Sequence, residues 1–584
     1  MPSSTAANEI SLAEKDIHSK ATEPQDNKNE YEDAEKNYQP KTLKFWTILI
    51  GMYLSMFLVA LDRMIIATAV PKITDEFKSI NDIGWYGSAY MLTAAVFFPI
   101  TGRIYQIYST KWTYVCSIVI FEVGSAICGA APNSIAFILG RAIAGSGSSG
   151  IFTGGIMIMM PMVPLRKRPT FAAFFGMAFG LASVLGPVIG GLFTDKVTWR
   201  WCFYLNLPVG GFTLVAVLLL FNFDQMKKKS SPTVVEQIKA LDPLGVFFLA
   251  PSMVCLVLAL QWGGTTYAWS EPRMIGLLVT FAVLFVVFIV VEALTPTTAM
   301  APARVVLNRS IAGGMLFMFL LSGAMMSAVY YLAIWFQTTK GDSAMDAGIK
   351  TIPLVLSMVI FTILSAKLTE SIGYYVPAML ICPILCSVGG GMLSTLDESS
   401  GHSKWIGYQV LYGFGMGCGF QGPNLAAQTV LPRVDVPIGI ALLFFMQQLG
   451  GAIFVSVSQN IFANELLKRL SGVAGLDTEA VLHQGATELR KIVPPNELDV
   501  VIKAYNLSIT CVFVMVAALS ASIITGSLAM EWKSIKGRDG SDKGLSKDAE
   551  EGQKNQAPEK DQVIEQGKSC GKPLGGLVSY EDKY

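Results

Sequence analysis

Histidine is scarce: the 584 residues hold only His18, His402 and His483, and none falls within a long apolar stretch. Metal sites and bilayer acyl chemistry that depend on clustered histidines therefore lose their usual ligands and bases. No nucleophile–base pair is evident either, so an enzyme is not expected. Charge is also sparse, at 15% of residues against roughly 25% in ordinary soluble domains. The net charge is +1, which provides no broad basic field for nucleic acid. No Gly-x-x-x-x-Gly-Lys-Ser/Thr loop occurs, so nothing in the chain is built to hold ATP. Eight of the nine cysteines lie in apolar stretches and Cys570 lies in a polar tail. That distribution reads as small packing residues, not as a disulfide framework. Residues 1–40 have no apolar run of the kind a cleaved leader carries.

What the chain has instead is long apolar runs. Hydrophobic residues make up 52%, and a membrane-spanning helix needs about 20 mostly apolar residues in succession. Fourteen such candidates lie near 45–69, 83–104, 113–131, 135–160, 169–193, 201–222, 243–261, 273–293, 312–337, 348–368, 376–396, 405–430, 438–461 and 506–530. The fold class is therefore an all-α polytopic membrane protein. Basic residues in short connections set orientation. Lys111, Arg166-Lys167-Arg168, Lys227-Lys228-Lys229, Arg304, Arg309 and Arg433 fall on the side that also holds both tails, which predicts cytosolic termini. Residues 1–44 and 531–584 read as disordered cytosolic tails. A long outer loop is expected at 462–505, with short helices started by Asp477 and by Pro494-Pro495-Asn496. It reads as an outer cap, with a substrate lid as the alternative. The sequons at Asn308 and Asn506 fall on the cytosolic side and at the membrane edge, so neither is expected to carry sugar.

Gly145-Ser146-Gly147-Ser148-Ser149-Gly150 matches a dinucleotide-binding spacing but follows no strand and lies inside a span. Close helix packing through small residues is the better reading. Ionisable groups inside a bilayer are costly and commonly functional. Asp62 in span 1, Glu122 in span 3 and Arg141 in span 4 fall in a similar layer, at or outside the midplane. A carboxylate balanced between burial and a nearby cation can take up and release a proton. The competing reading is a static ion pair that fixes helix positions. Arg63, beside Asp62, is expected to snorkel outward in a structural role.

Neutral polar groups form a second set. Gln421, Asn424 and Gln428 recur at helical spacing in span 12, Gln447 and Gln448 lie in span 13, and Gln337 ends span 9 next to Trp335. Such groups either glue helices together or line a cavity for an amphipathic organic molecule. The aromatic residues equally suit an interfacial belt.

Several stretches carry a family resemblance. Leu61-Asp62-Arg63-Met64-Ile65-Ile66-Ala67-Thr68-Ala69-Val70-Pro71 resembles the first-span motif of fourteen-helix drug:proton antiporters of the major facilitator superfamily. Leu139-Gly140-Arg141-Ala142-Ile143-Ala144-Gly145-Ser146-Gly147 resembles the fourth-span motif, whose arginine is associated with proton coupling. Gly186-Pro187-Val188-Ile189-Gly190-Gly191 resembles the antiporter motif of span 5. Trp199 to Pro208 and Gln447 to Ser456 are similar to stretches shared by fungal members. The resemblance covers about residues 45–530. One departure stands out: in the loop after span 2, Gln106 takes the place of the usual acidic residue of a cytosolic charge latch. Ala173 and Ala182 replace further glycines of span 5 and are small enough to keep close packing.

The resemblance implies a major facilitator fold, with two six-helix bundles at 45–222 and 312–530 and two extra helices in the connecting 223–311. It implies rocking of the bundles about a midplane site. It also implies export of a small organic molecule, such as a toxin, secondary metabolite or drug, driven by protons without a bound cofactor. Asp62, Glu122 and Arg141 would couple protons, Gly186, Pro187, Gly190 and Gly191 would form a hinge or seal, and Gln337, Trp335, Gln421, Asn424, Gln447 and Gln448 would line the cavity. The expected location is the plasma membrane, or else a vacuolar or vesicle membrane. Other cargo, such as a siderophore–iron chelate or basic amino acids, is the nearest alternative, and a transporter-like sensor a more distant one.

Overall fold

The computed structural model describes residues 34–35, 37–79, 82–221, 237, 239–264, 267–471 and 497–536. Regular structure among them is helical, with isolated backbone bridges only at Gly263–Tyr267 and Tyr374–Ser534. Helix α1 spans Leu43–Phe77, α2 Ile83–Ile107, α3 Thr110–Ala130, α4 Ser134–Met162 and α5 Arg168–Lys196. The sixth pass is split into α6, Trp201–Tyr204, and α7, Asn206–Leu220. Then come α8, Pro243–Trp262, α9, Pro272–Leu294, α10, Arg309–Thr338, α11, Ile352–Ile372, and α12, Val376–Leu393. The twelfth expected pass is broken into α13, His402–Gly419, and α14, Gly422–Val430, before α15, Val436–Leu470, and α16, Leu498–Ala529.

A helix thus lies at each of the fourteen expected positions. Twelve helices among the described residues are long and apolar enough to cross a membrane by themselves. The two exceptions are α2 and the α13/α14 pair. α2 is flanked by α4 and α15, and α13 by α11 and α12. Their polar positions meet protein, so they need less apolar surface. α9 is the opposite case. Ile275, Val279, Val283, Val286 and Ile289 are each at least half exposed, and this outward apolar stripe suits contact with lipid.

Helix starts follow local chemistry. Thr42 accepts from Phe45 N at the head of α1, Asn133 from Ala136 N at α4, and Asn308 from Ser310 N and Ile311 N at α10. These caps satisfy donors that a helix leaves open. The near face of the molecule is the one where α1 begins, and the far face is the one where it ends. Close packing comes from small residues. A Cβ on Gly147 would stand 2.5 Å from Phe121 N, and one on Gly145 or Gly150 would strike α2 or α3. The glycine-rich run of α4 is therefore a backbone-to-backbone contact surface.

Helices run longer than the 20-residue minimum. α15 continues to Leu470 and α16 begins at Leu498, so 462–470 and 498–505 are helix where the sequence predicts loop. The rest of that loop, with Asp477 and Pro494–Asn496, lies mostly outside the described residues. The tails are likewise corrected at their inner ends. Tyr38 packs edge-on against Phe45, and Trp46 donates to Pro40 O. Ile535 is buried, and its N–H donates to Gly373 O. Residues 1–33 and 537–584 lie outside the described residues.

The two six-helix sets meet along α2 with α15 and along α5 with α11. Inserted helices α8 and α9 flank the first of these seams. On the far side, Gln261 of α8 donates to Gly84 O, and Trp269 donates to Asn460 of α15 at 2.5 Å. On the near side, Arg103 of α2 donates to Ala240 O and Thr297 O at 2.9 and 2.6 Å. The pair is thereby tied at both ends to the bundle seam.

Candidate functional site

Asp62 and Arg141 come together as their shared layer predicts. Arg141 Nη1 lies 2.5 Å from Asp62 Oδ2, and both side chains are about 1% exposed. The second carboxylate oxygen accepts from Asn206 Nδ2 at 3.3 Å, and the same amide donates to Ser125 Oγ at 3.0 Å. Arg141 Nε donates to Tyr86 O at 3.0 Å, and its guanidinium lies 4.4 Å from the Tyr90 ring centroid. One ion pair therefore joins α1, α2, α3, α4 and α7. The break between α6 and α7 puts Asn206 at the first position of a helix with its side chain fully buried. The sequence places Asn206 within a family-like stretch without marking it as a site residue. A buried asparagine directly after a short helical turn is the signal that could have found it.

Glu122 lies on α3 one turn from Ser125. Both of its carboxylate oxygens are buried and have no hydrogen-bond partner among the described residues. A Cβ on Gly210, one turn beyond Asn206, would collide with Glu122 Oε1. Glycine at 210 is thus what makes room for the carboxyl beside the Asp62 cluster. Unpartnered burial of this kind is expensive for an ionised carboxylate and far cheaper for a protonated one.

Arg63 departs from expectation. It does not snorkel outward but crosses to the other six-helix set, where Nη1 donates to Gln448 Oε1 at 3.0 Å. Its guanidinium lies 5.3 Å from the ring centroids of both Tyr90 and Phe152.

Residues 186–191 lie inside α5 without a break in the helix. A Cβ on Gly186 would stand 2.7 Å from Met64 Cβ, and one on Gly190 would collide with Thr68 Oγ1. The motif's glycines therefore seat α5 against the stretch of α1 just beyond Asp62. Gly191 faces open space. Ala173 and Ala182 are buried, as their small size predicts.

The neutral polar set divides. Trp335 is corrected: it is fully buried in the second bundle's core, and its indole N–H is committed to Asn506 Oδ1 at 2.7 Å. A side chain so enclosed lines no cavity. The same bond, with Asn506 Nδ2 donating to Leu396 O, occupies the second sequon. Gln337 is half-buried near the far end of α10, and Gln447 is half-buried on α15 beside Gln448. The shared helical face expected for Gln421, Asn424 and Gln428 is interrupted, because α14 starts after Gln421. Asn424 donates to Gln421 Oε1 at 3.5 Å and keeps a buried Oδ1 without a partner among the described residues, and Gln428 donates back to Asn424 O. Gln421 itself lines a narrow groove with Pro169 and Ala172 of the first bundle and Thr362 and Cys418 of the second.

A near-face latch is present although Gln106 lacks a charge. Gln106 Nε2 donates to Asp435 Oδ1 at 3.0 Å, and Arg304 grips Asp435 through Nε at 3.1 Å and Nη2 at 2.9 Å. These hydrogen bonds to the carboxylate push the Arg304 guanidinium pKa upward. The acid sits across the seam from its expected place, just ahead of α15 and far in the chain from the motif that normally carries it. A second contact, Thr170 Oγ1 to Glu370 Oε2 at 2.6 Å, closes the α5–α11 seam on the same face. Asp435→Ala is expected to open this end: spin labels at positions 109 and 367 should show a longer or broader distance distribution than in the parent. An unchanged distribution would show that apolar contacts alone hold the face shut.

The family model described as Major Facilitator Superfamily matches residues 52–455. The chain is 48% identical over 508 residues to the MFS-type efflux pump MFS1 of Arthroderma benhamiae, covering 87% of this chain and 95% of that one. It is 45% identical over 507 residues to the efflux pump aflT of Aspergillus parasiticus, covering 86% and 99%. Among solved structures it resembles the proton:xylose symporter XylE, with a TM-score of 0.52 over 82% of this chain and 96% of that one at 14% identity. That last likeness concerns the fold alone. With its fourteen helical passes, its paired bundles and these matches, the chain belongs to the Major Facilitator Superfamily and is a multi-pass membrane transporter of small molecules.

Proposed function

We propose that the protein is a proton-coupled exporter of small organic molecules that works by alternating access. The observation that carries this reading is the Asp62–Arg141 pair, buried at the junction of five helices and held by Asn206. Breaking a buried pair by neutralising one partner leaves an uncompensated charge worth several kcal/mol. Protonating Asp62 has that consequence for Arg141, so proton binding there must be accompanied by rearrangement of α1, α4 and α7. Glu122, one turn from Ser125 on α3 and with no hydrogen-bond partner among the described residues, is the second proton site. The exporter direction is supported by the two fungal relatives, both named as efflux pumps. Gly186 and Gly190 act in the far-end seal of α5 against α1, with Pro187 and Gly191 supplying the rest of the hinge.

The substrate path runs along the bundle seam past Gln447, Gln448 and Gln421, with Asn424 behind it and Gln337 toward the far end. The near face is the cytosolic one, supported by the basic runs Arg166-Lys167-Arg168 and Lys227-Lys228-Lys229 in its connections. The plasma membrane is the inferred location. The experiment is efflux from proteoliposomes that carry the purified chain, with and without an imposed proton gradient. Glu122→Gln is expected to retain binding of a fluorescent substrate while slowing gradient-driven turnover by about tenfold or more, because a fixed neutral group cannot release its proton. Unchanged turnover would remove Glu122 from the proton path.

A further inference from the structure

Arg63 is a half-buried cation with no carboxylate partner among the described residues. Its chain neighbour Asp62 is fully engaged by Arg141 and Asn206, and no ion pair forms at Arg63 among the described residues. The only acceptor it has among them is the amide oxygen of Gln448 on the opposite bundle, taken by Nη1. Nε and Nη2 are both buried and have no hydrogen-bond partner there. Those two nitrogens form one edge of the planar guanidinium, and that edge presents two parallel N–H donors that match the two oxygens of a carboxylate. The chain itself demonstrates the fit: Arg304 uses the same two nitrogens to grip Asp435. An arginine with this fork unpaired, inside a bilayer, is costly to keep unless something binds there when the seam opens.

The surroundings specify the rest of the ligand. Tyr90 and Phe152 face the guanidinium from the first bundle. Phe152 packs on Phe444 of α15 with centroids 5.6 Å apart, and Phe444 packs on Phe98 at 5.5 Å. Phe444 belongs to α15 and the other rings to α2 and α4, so opening the seam uncovers ring faces for a flat aromatic body next to a fork for its acid group. The Arg63–Gln448 bond also spans the seam that alternating access must open, so a ligand on the fork touches the element that moves.

We propose that Arg63, with Gln448, forms an anion subsite of the transport path, and that it recognises aromatic organic acids through their carboxylate. This rests on the transporter reading and adds the chemical class of its cargo.

The test is equilibrium binding to the purified full-length chain in nanodiscs at about pH 7.5, where such carboxylic acids are ionised. The probes are anthraquinone-2-carboxylate, 2-naphthoate and 9-anthroate, each beside its uncharged carboxamide. The parent is expected to bind at least one acid tenfold or more tightly than its amide. In Arg63→Gln the acid-to-amide affinity ratio should fall close to one. Arg63→Lys should recover part of it, since the charge returns without the fork. Gln448→Glu should weaken acid binding by placing a competing carboxylate on Arg63, and it serves as the decisive variant if Arg63→Gln does not fold. Equal affinity for acid and amide in the parent, no saturable acid binding, or a ratio that survives both Arg63→Gln and Gln448→Glu would overturn the proposal. Efflux of an uncharged dye by the parent, measured in the same preparation with and without a protonophore, tests the transporter reading separately.

Discussion

Asp62→Ala should abolish gradient-driven transport and lower stability by about 3–5 kcal/mol, the usual cost of stranding one member of a buried pair. The structure makes the cost specific. Arg141 would keep Tyr86 O and the Tyr90 face, but neither neutralises it, and Asn206 would lose one acceptor. Asp62→Asn is the milder change and should still fail to couple protons. The double variant Asp62→Asn with Arg141→Gln separates the two roles. It removes both charges, so it should recover most of the lost stability while remaining inactive under a proton gradient. Thermal unfolding in detergent gives the stability, and vesicle uptake gives the coupling. If the double variant transports normally, the pair is only a structural tie.

Gly147→Val is expected to have a comparably large effect for an unrelated reason. The added side chain would meet the backbone of α3 at Phe121, not a flexible side chain. Overpacking commonly costs about 1–3 kcal/mol. Backbone atoms cannot swing aside, so the cost here should lie at or above the top of that range. α4 would have to separate from α3, and that also displaces Arg141 from Asp62. Loss of monodisperse protein on size exclusion is the expected readout. Gly211→Ala serves as the comparison, because a Cβ there meets nothing within 4 Å and alanine favours helix. It should fold as well as the parent.

These two cases also show what the sequence made legible. Spans are legible because a bilayer demands a minimum apolar length whatever the neighbours are. The layer shared by Asp62 and Arg141 followed from position alone, and the structure closes it to a direct contact. What depends on rotation about a helix axis was not legible. α1 is apolar nearly all round, so no periodicity distinguishes the direction of Arg63 from that of Asp62, and only the partner bundle does so. Trp335 illustrates the reverse error. An aromatic residue near a helix end suits a belt or a cavity equally well, and its real partner, Asn506, lies 171 residues away. Gln421 was placed on a continuous helical face, whereas the helix is interrupted between Gly419 and Gly422. The loss of the acid at Gln106 was legible, but its replacement was not, because this chain holds the latch carboxylate at Asp435, across the seam and far away in sequence.

The central claim is that movement of protons through the Asp62 site drives movement of substrate. Its most direct measurement uses proteoliposomes with the purified chain, a fluorescent organic substrate and an imposed pH difference, with substrate and proton flux recorded together. Substrate is expected to move against its own gradient with an opposed proton flux, and both fluxes are expected to be lost on adding a protonophore and in Asp62→Asn. Substrate accumulation that persists unchanged with the protonophore, or in Asp62→Asn, would contradict it.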